Sequence, residues 1–154
     1  MNHPSILETT SALGETTVVA DAAQIVDLCR YLKEEEKYVR LTSITAVDWH
    51  PAEPRFEVVY HLHGFDPAGP SEAITNVRRV RVKCKVSGAD PQIDSVFGVW
   101  RSANWYEREV FDMFGITFRN HPNLQRILMP LDWEGYPLRK DYPVHGYKYS
   151  YAKE

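Results

Sequence analysis

The sequence predicts an α+β protein: a two-layer domain with a mixed or antiparallel sheet and helices on one face, followed by an extended C-terminal arm. Three observations lead to this class. Several segments concentrate β-branched and aromatic residues, and others space apolar residues at the helical period. Beyond Ile116 that periodicity stops, while Pro122, Pro130, Pro137 and Pro143 recur. The expected division is a domain over residues 1–116 and an arm over 117–154.

TTVVA (16–20) reads as a short strand. Asp21 then caps a helix running to about Glu36, with Ile25, Leu28, Cys29 and Leu32 spaced as its buried stripe. YVRLTSITAVDW (38–49) and RFEVVYHLH (55–63) read as strands, GFDPAGPSEA (64–73) as a turn-rich connector, and RRVRVKCKV (78–86) as a third strong strand. Asp90-Pro91 predicts a helix start, with Asp as N-cap and Pro at the first helical position. Ile93, Val96, Phe97 and Trp100 would give that helix one apolar face. A second helix begins at Asn104, where Glu107 stands three residues on, as in a capping box; Gly115 ends it after Phe114. The long proline-punctuated segment that follows is unusual in a compact chain unless it is functional or lies along a partner.

Composition narrows the function classes. At 154 residues, 44% hydrophobic and 25% charged, the chain can bury one sizeable core and is too apolar for wholesale disorder. A net charge of −3 argues against bulk attraction to nucleic acid or anionic lipid. No apolar run reaches the length of a membrane span, and MNHPSILETTSALGE lacks the basic and apolar regions of a signal peptide. Cys29 and Cys84 form no CxxC and are too few for a usual iron–sulfur or structural zinc site. The chain reads as cytosolic, with reduced thiols. It contains no GxGxxG, GxxxxGK[ST], GxSxG or HExxH, so binding of nucleotide, flavin or nicotinamide by this chain alone is poorly supported.

Four clusters carry the candidate chemistry. Arg79, Arg81, Lys83 and Lys85 alternate with apolar residues, so one strand face is basic. That face suits an RNA-binding sheet or an acidic partner, or is a solvated surface whose lysines guard an edge. The absence of interleaved aromatics favours the solvated surface. His61 and His63 project from one side of a strand, but no third ligand stands at a recognisable metal spacing. In EREVFDMF, Glu107 shares the apolar face of Val110, Phe111 and Phe114, where a carboxylate must cap, pair or titrate. Arg108 and Asp112 form an i, i+4 pair in the less favourable order. These charges therefore answer to something outside the helix: the arm with its Arg119, Arg126, Arg139 and Lys140, or another subunit. A stand-alone hydrolase using Glu107 and Asp112 is a further reading, but no nucleophile accompanies them. Last, DWEGYPLRKDYP (132–143) crowds Trp133, Arg139, Lys140, Asp141 and Tyr142 between prolines. From Glu107 to Pro143 six acids meet five bases among aromatics, which is the make-up of an interface more than of a substrate cleft.

The order of residues adds a more specific signal. Glu107-Arg108-Glu109, Asp112-Met113-Phe114-Gly115-Ile116, His121-Pro122, Arg126-Ile127-Leu128 and Gly135-Tyr136-Pro137-Leu138-Arg139-Lys140-Asp141-Tyr142-Pro143 resemble the C-type, or 30-kDa, subunit family of proton-translocating NADH:quinone oxidoreductase (respiratory complex I). Gln125 and Tyr136 depart from the pattern, standing where a basic residue or proline and a histidine are frequent. The resemblance implies a peripheral-arm subunit without catalytic, cofactor-binding or metal-ligating residues of its own. FMN, iron–sulfur clusters and quinone would belong to other subunits. It implies assembly with a hydrogenase-large-chain-like 49-kDa-type subunit and iron–sulfur subunits at the cytoplasmic face of the bacterial inner membrane, which the chain would reach only through the complex. Equivalent subunits occur in ferredoxin- or plastoquinone-linked and membrane-bound hydrogenase complexes. The expected partner interface comprises Glu107, Arg108, Glu109, Asp112, Arg126, Trp133, Arg139, Lys140, Asp141 and Tyr142. A nucleic-acid-binding domain using strand 79–85 is the rival of another class.

Overall fold

The chain starts with a hairpin that its apolar pattern does not announce. A computed structural model describes residues 1–65 and 77–147. In it, β1 (Ile6–Ala12) pairs antiparallel with β2 (Glu15–Ala20) through a two-residue turn, Leu13-Gly14. Both turn residues have positive φ, 52° and 77°, the backbone hand that matches the twist of a hairpin. β1 is almost wholly exposed, so its polar sequence ILETTSA carries no buried stripe to betray it.

Asp21 accepts a hydrogen bond from the Ala23 N–H at 3.0 Å, capping one 3-10 turn that leads into α1 (Ile25–Glu34). Ile25, Leu28, Cys29 and Leu32 are all fully buried, as their spacing requires. β3 (Arg40–Asp48), β4 (Phe56–Phe65) and β5 (Val77–Val86) complete a five-stranded sheet in the order β1-β2-β5-β4-β3. The sheet is mixed: β2 and β5 run parallel and the other neighbours antiparallel. The connector expected over 64–73 lies, from Asp66 on, outside the described residues.

The helix expected to open at Asp90-Pro91 does not form. Gln92–Asp94 is instead a short strand, β6, parallel to β7 (Thr117–Arg119), and turns follow it. The cap-like Asp-Pro start is overridden because Ile93 is buried opposite Phe118, and because backbone bonds from Thr117 N–H to Pro91 and from Ser95 N–H to Arg119 extend the pairing. Ile93, Val96 and Trp100 still enter the core, by way of β6 and the turns after it rather than a helix face.

α2 (Ala103–Phe114) packs beside β3 and ends at Gly115, whose φ of 71° is left-handed. α1 and α2 cover one face of the sheet in a single apolar core that includes Leu28, Tyr60, Val82, Val110 and Phe118. The architecture is the α+β layering expected. No helix among the described residues is long and apolar enough to cross a membrane.

Candidate functional site

From Arg119 on, the described arm turns back over the C-terminal end of α2, and its charged residues meet the domain. Asp112 is the centre of this contact. It projects from α2 with 0% exposure, and its Oδ1 receives Arg126 Nη1 at 2.6 Å. Its Oδ2 accepts the successive backbone N–H groups of Ile127, Leu128 and Met129 at 2.9, 2.8 and 2.9 Å. Burial pushes this carboxyl up, but the three N–H groups and Arg126 outweigh it and hold it below its ordinary value. A carboxylate with four such donors is an anchor for a loop. It is fully buried and committed to these donors, so it offers no accessible base to a substrate, and the hydrolase reading loses half of its proposed pair.

Arg126 also donates to the Gly135 carbonyl and stacks on Tyr136. Arg108 donates to the carbonyls of Gln125 and Arg126 while lying over Trp105. The unfavourable order of Arg108 and Asp112 within the helix is thereby explained: both residues serve the arm rather than each other.

A second clamp lies one turn further on. Leu138 N–H donates to the Met113 carbonyl, and Arg139 Nε to the Phe114 carbonyl at 2.6 Å, so two of the carbonyls exposed at the end of α2 are satisfied by the arm. The Arg139 guanidinium is sandwiched between the rings of Phe56 and Tyr136. Gly115 permits this approach. A Cβ there would lie 2.5 Å from the Tyr136 ring and 2.7 Å from Arg139 Nη2. The clamp closes on the domain through Asp48, which accepts Lys140 N–H at 2.8 Å and both Nε and Nη2 of Arg55 at 2.9 and 2.8 Å. Arg55 in turn grips Asp141 with two further bonds, at 2.9 and 2.6 Å. Although burial opposes it, Arg55 and the N–H groups of Lys140 and His50 hold the Asp48 carboxyl well below the usual carboxylate range.

Glu107 does not close a capping box. The α2 N-cap is Ser102 rather than Asn104, and the Glu107 carboxylate points away from it. It accepts Ser95 Oγ at 2.6 Å and Val96 N–H at 2.7 Å, tying α2 to the turn after β6. His121 Nε2 lies 3.8 Å from it, and both side chains are fully buried. Burial, only partly offset by Ser95 and Val96, pushes this carboxyl up to about 7. Such a group exchanges a proton near neutrality, but it has no exposed face to offer a substrate.

On the opposite face of the sheet the basic strand is β5, the central strand, so its lysines protect no edge. Lys83 and Lys85 both pair with Glu57, and Arg81 pairs with Glu15, so two acids neutralise half the charge of the four cations that an RNA-binding face would use. His61 is engaged at both ring nitrogens, by Ser43 Oγ and by Arg81 Nε. Among the described residues no three His, Cys, Asp or Glu side chains converge as a metal site would require.

Of the ten residues singled out in the sequence, Arg108, Asp112, Arg126, Arg139 and Asp141 thus converge on the seam between arm and domain, with the backbone of Lys140. Tyr142 packs edge-on against Tyr147 and donates to the Glu134 carbonyl. Trp133 is half-buried, its indole N–H enclosed and unpartnered among the described residues, while the side chains of Glu109 and Lys140 are exposed. Glu107 belongs to the core below. Asp48, Arg55, Ser95 and His121 were not legible as contributors, because their partners in the arm or in α2 lie 12 or more residues away and follow no local spacing.

The geometry is that of a domain with a moulded arm, and likeness to known proteins agrees with it. The family described as "Respiratory-chain NADH dehydrogenase, 30 Kd subunit" matches residues 18–148. The C-type subunit of NADH-quinone oxidoreductase from Geotalea uraniireducens is 49% identical over 142 residues, covering 92% of this chain and 81% of the relative. Its counterpart in Geobacter sulfurreducens is 50% identical over 143 residues, covering 92% and 83%. Among solved structures, a trypsin-resistant fragment of Nqo5 superimposes with a TM-score of 0.62 at 32% identity, covering 74% of this chain and 86% of that one. A chain of the membrane-bound sulfane sulfur reductase, an archaeal respiratory membrane complex, gives 0.70 at 26% identity, covering 92% and 79%. With an α+β domain, an arm anchored by its ERE-x-x-DMFG and PLRKDYP motifs, and a family match across nearly its whole length, the chain belongs to the 30-kDa subunit family of respiratory-chain NADH dehydrogenase.

Proposed function

We propose that the chain is a non-catalytic, peripheral-arm subunit of an NADH:quinone oxidoreductase. It supports assembly of a complex that passes electrons from NADH through FMN and iron–sulfur clusters to quinone and couples this to proton translocation. Those cofactors sit on neighbouring subunits in this reading. The chief partner is the 49-kDa-type subunit that resembles a hydrogenase large chain, with iron–sulfur subunits beside it, at the cytoplasmic face of the bacterial inner membrane.

One observation carries the reading. The arm spends Arg126, Arg139 and Asp141 on its own domain and turns four apolar side chains outward: Leu131 is 82% and Val144 96% exposed, with Leu128 and Leu138 also exposed. Apolar side chains displayed on a segment held rigid by buried ion pairs are suited to a partner's surface, because the ordering cost of the arm is met before binding. In this reading residues 1–116 are the scaffold and the arm from 117 is the contact. Arg126, Arg139 and Asp141 shape the arm, and Glu109, Trp133, Lys140 and Tyr142 line the contact. NADH is preferred as donor over other electron sources because relatives at 47–50% identity carry that name, whereas the sulfane sulfur reductase chain is 26% identical.

Leu128→Asp/Leu131→Asp is expected to leave the purified chain folded by circular dichroism and to deplete the assembled complex on native gels of membranes. A fully populated complex in that variant would overturn the proposal.

A further inference from the structure

The outer face of the sheet carries two cations that the acids among the described residues leave unmatched. Lys83 and Lys85 share Glu57 at 3.0 and 2.9 Å, and Arg81 has Glu15 at 2.8 Å. Arg79 is different. In register it stands directly opposite His63, and His63 stands directly opposite Arg40, so three nitrogen-bearing side chains form one row across β5, β4 and β3. Arg40 and Arg79 are exposed, and neither pairs with a carboxylate among the described residues.

Cations brought together across a sheet weaken it, and although Arg40 stands on the edge strand β3, protection of an edge cannot explain Arg79 on the central strand β5. Burial, reinforced by Arg79 and Arg40, holds the His63 imidazole below its ordinary value. It therefore stands neutral between them, able to donate one hydrogen bond without adding repulsion. Strands about 4.8 Å apart set the two arginine backbones about 10 Å from each other. At one end of the row Phe65 faces Val77 on the same side of the sheet, Val77 being 44% exposed, so an apolar step borders the cations.

We propose that the Arg40–His63–Arg79 row is a second docking surface, separate from the arm, for an acidic segment of another subunit. Guanidinium groups take carboxylates bidentately, and a segment in the polyproline II form, with three residues per turn, sets acids three residues apart on one side and about 9 Å from each other. Nucleic acid and anionic lipid fit less well. Both present continuous phosphate, which needs a longer run of free cations than Arg40 and Arg79 once Glu57 and Glu15 engage the others, and the chain as a whole carries −3. A protein segment needs only these two arginines, and the bordering Phe65 and Val77 supply the apolar contact such interfaces use.

The proposal rests on the chain working within an assembly, so the test monitors arm and sheet separately. A benzophenone amino acid replaces Val77, or in a second strain Leu131, and native membranes are irradiated. Position 77 should cross-link to a peptide of another subunit carrying at least two Asp or Glu residues. R40E/R79E should cut that yield about tenfold while cross-linking from position 131 persists. R40K/R79K should give an intermediate yield, because lysine keeps the charge and loses the bidentate grip. If R40E/R79E fails to fold by circular dichroism, R40A/R79A provides the same comparison. Cross-links from 77 to lipid, nucleic acid or a peptide without acids overturn the proposal, as does a yield that R40E/R79E leaves unchanged. Absence of cross-links at 77 alone overturns it too, whereas absence at both positions overturns the assembly reading beneath it.

Discussion

Replacing Asp112 with Ala removes the anchor on which the first half of the arm is built. The carboxylate is fully buried and accepts Arg126 and three consecutive N–H groups, all within 2.9 Å. Hydrogen bonds to a charged group are worth about 1.5–3 kcal/mol each on deletion, but the donors do not all stay dry. Arg126 keeps 14% exposure and Leu128 lies at the surface, so both regain water when the arm loosens. The expected loss is therefore near the lower end of the range for breaking a buried pair, about 3 kcal/mol. For a chain of this size that lowers the melting temperature by about 6–12 °C. The Asp112→Asn variant, with one acceptor oxygen in place of two, should lose about half as much. Thermal unfolding by circular dichroism gives the global figure, and hydrogen exchange at the amides of 127–129 gives the local one. A D112A variant that melts with the wild type and keeps those three amides protected would show that Asp112 does not hold the arm. The same anchor predicts acid sensitivity. Because the folded carboxyl lies below its ordinary value of 3.8, its stabilisation is present above that value and is lost as pH falls through the folded one. Exchange at 127–129 should accelerate in that acid window in the wild type and show no such step in D112A.

Three further outcomes follow from the same contacts. Glu107, raised from 4.5 to about 7, contributes stability that is complete below pH 4.5 and lost as pH rises through 7, about 3 kcal/mol in all; Glu107→Gln should flatten the urea midpoint across that window. His121, lowered by burial, lies 3.8 Å from Glu107, so the difference between the two proteins reports the titration of the pair. Gly115→Ala places a methyl 2.5 Å from the Tyr136 ring at a φ of 71°, and should cost about 2–3 kcal/mol in urea unfolding while freeing the Arg139 clamp to proteolysis. Tyr60 is fully buried, with a hydroxyl unpartnered among the described residues, so Tyr60→Phe should raise the melting temperature, by up to about 1–2 kcal/mol in stability; a drop would reveal a partner for that hydroxyl.

The helices and strands that were legible are those whose residues answer to a local period. Ile25, Leu28, Cys29 and Leu32 had to share one face of α1, and Val80, Val82 and Cys84 one face of β5, whatever the rest of the chain did. The failures have equally local causes. The polar β1 buries too little to leave a pattern, and Asp90-Pro91 suits a helix start as readily as the extended entry to β6.

The chain's motifs, read in order along the sequence, were enough to mark its family, its α+β class and the arm as the segment that matters. They also told that Glu107, Arg108 and Asp112 serve something beyond their helix, since a carboxylate on an apolar stripe and a reversed ion pair have no local remedy. Only the tertiary structure decided what that something is. Asp112 and Arg126 are 14 residues apart, Arg55 and Asp141 86, and Glu107 meets Val96 from outside its helix. Such pairings follow from which surfaces the sheet and α2 bring within hydrogen-bond reach, and no spacing along the chain encodes that distance. Arg139 and Asp141 of DWEGYPLRKDYP, with the Lys140 backbone, accordingly hold the arm to its own domain, and its leucine faces outward with Leu128 and Leu131 before it.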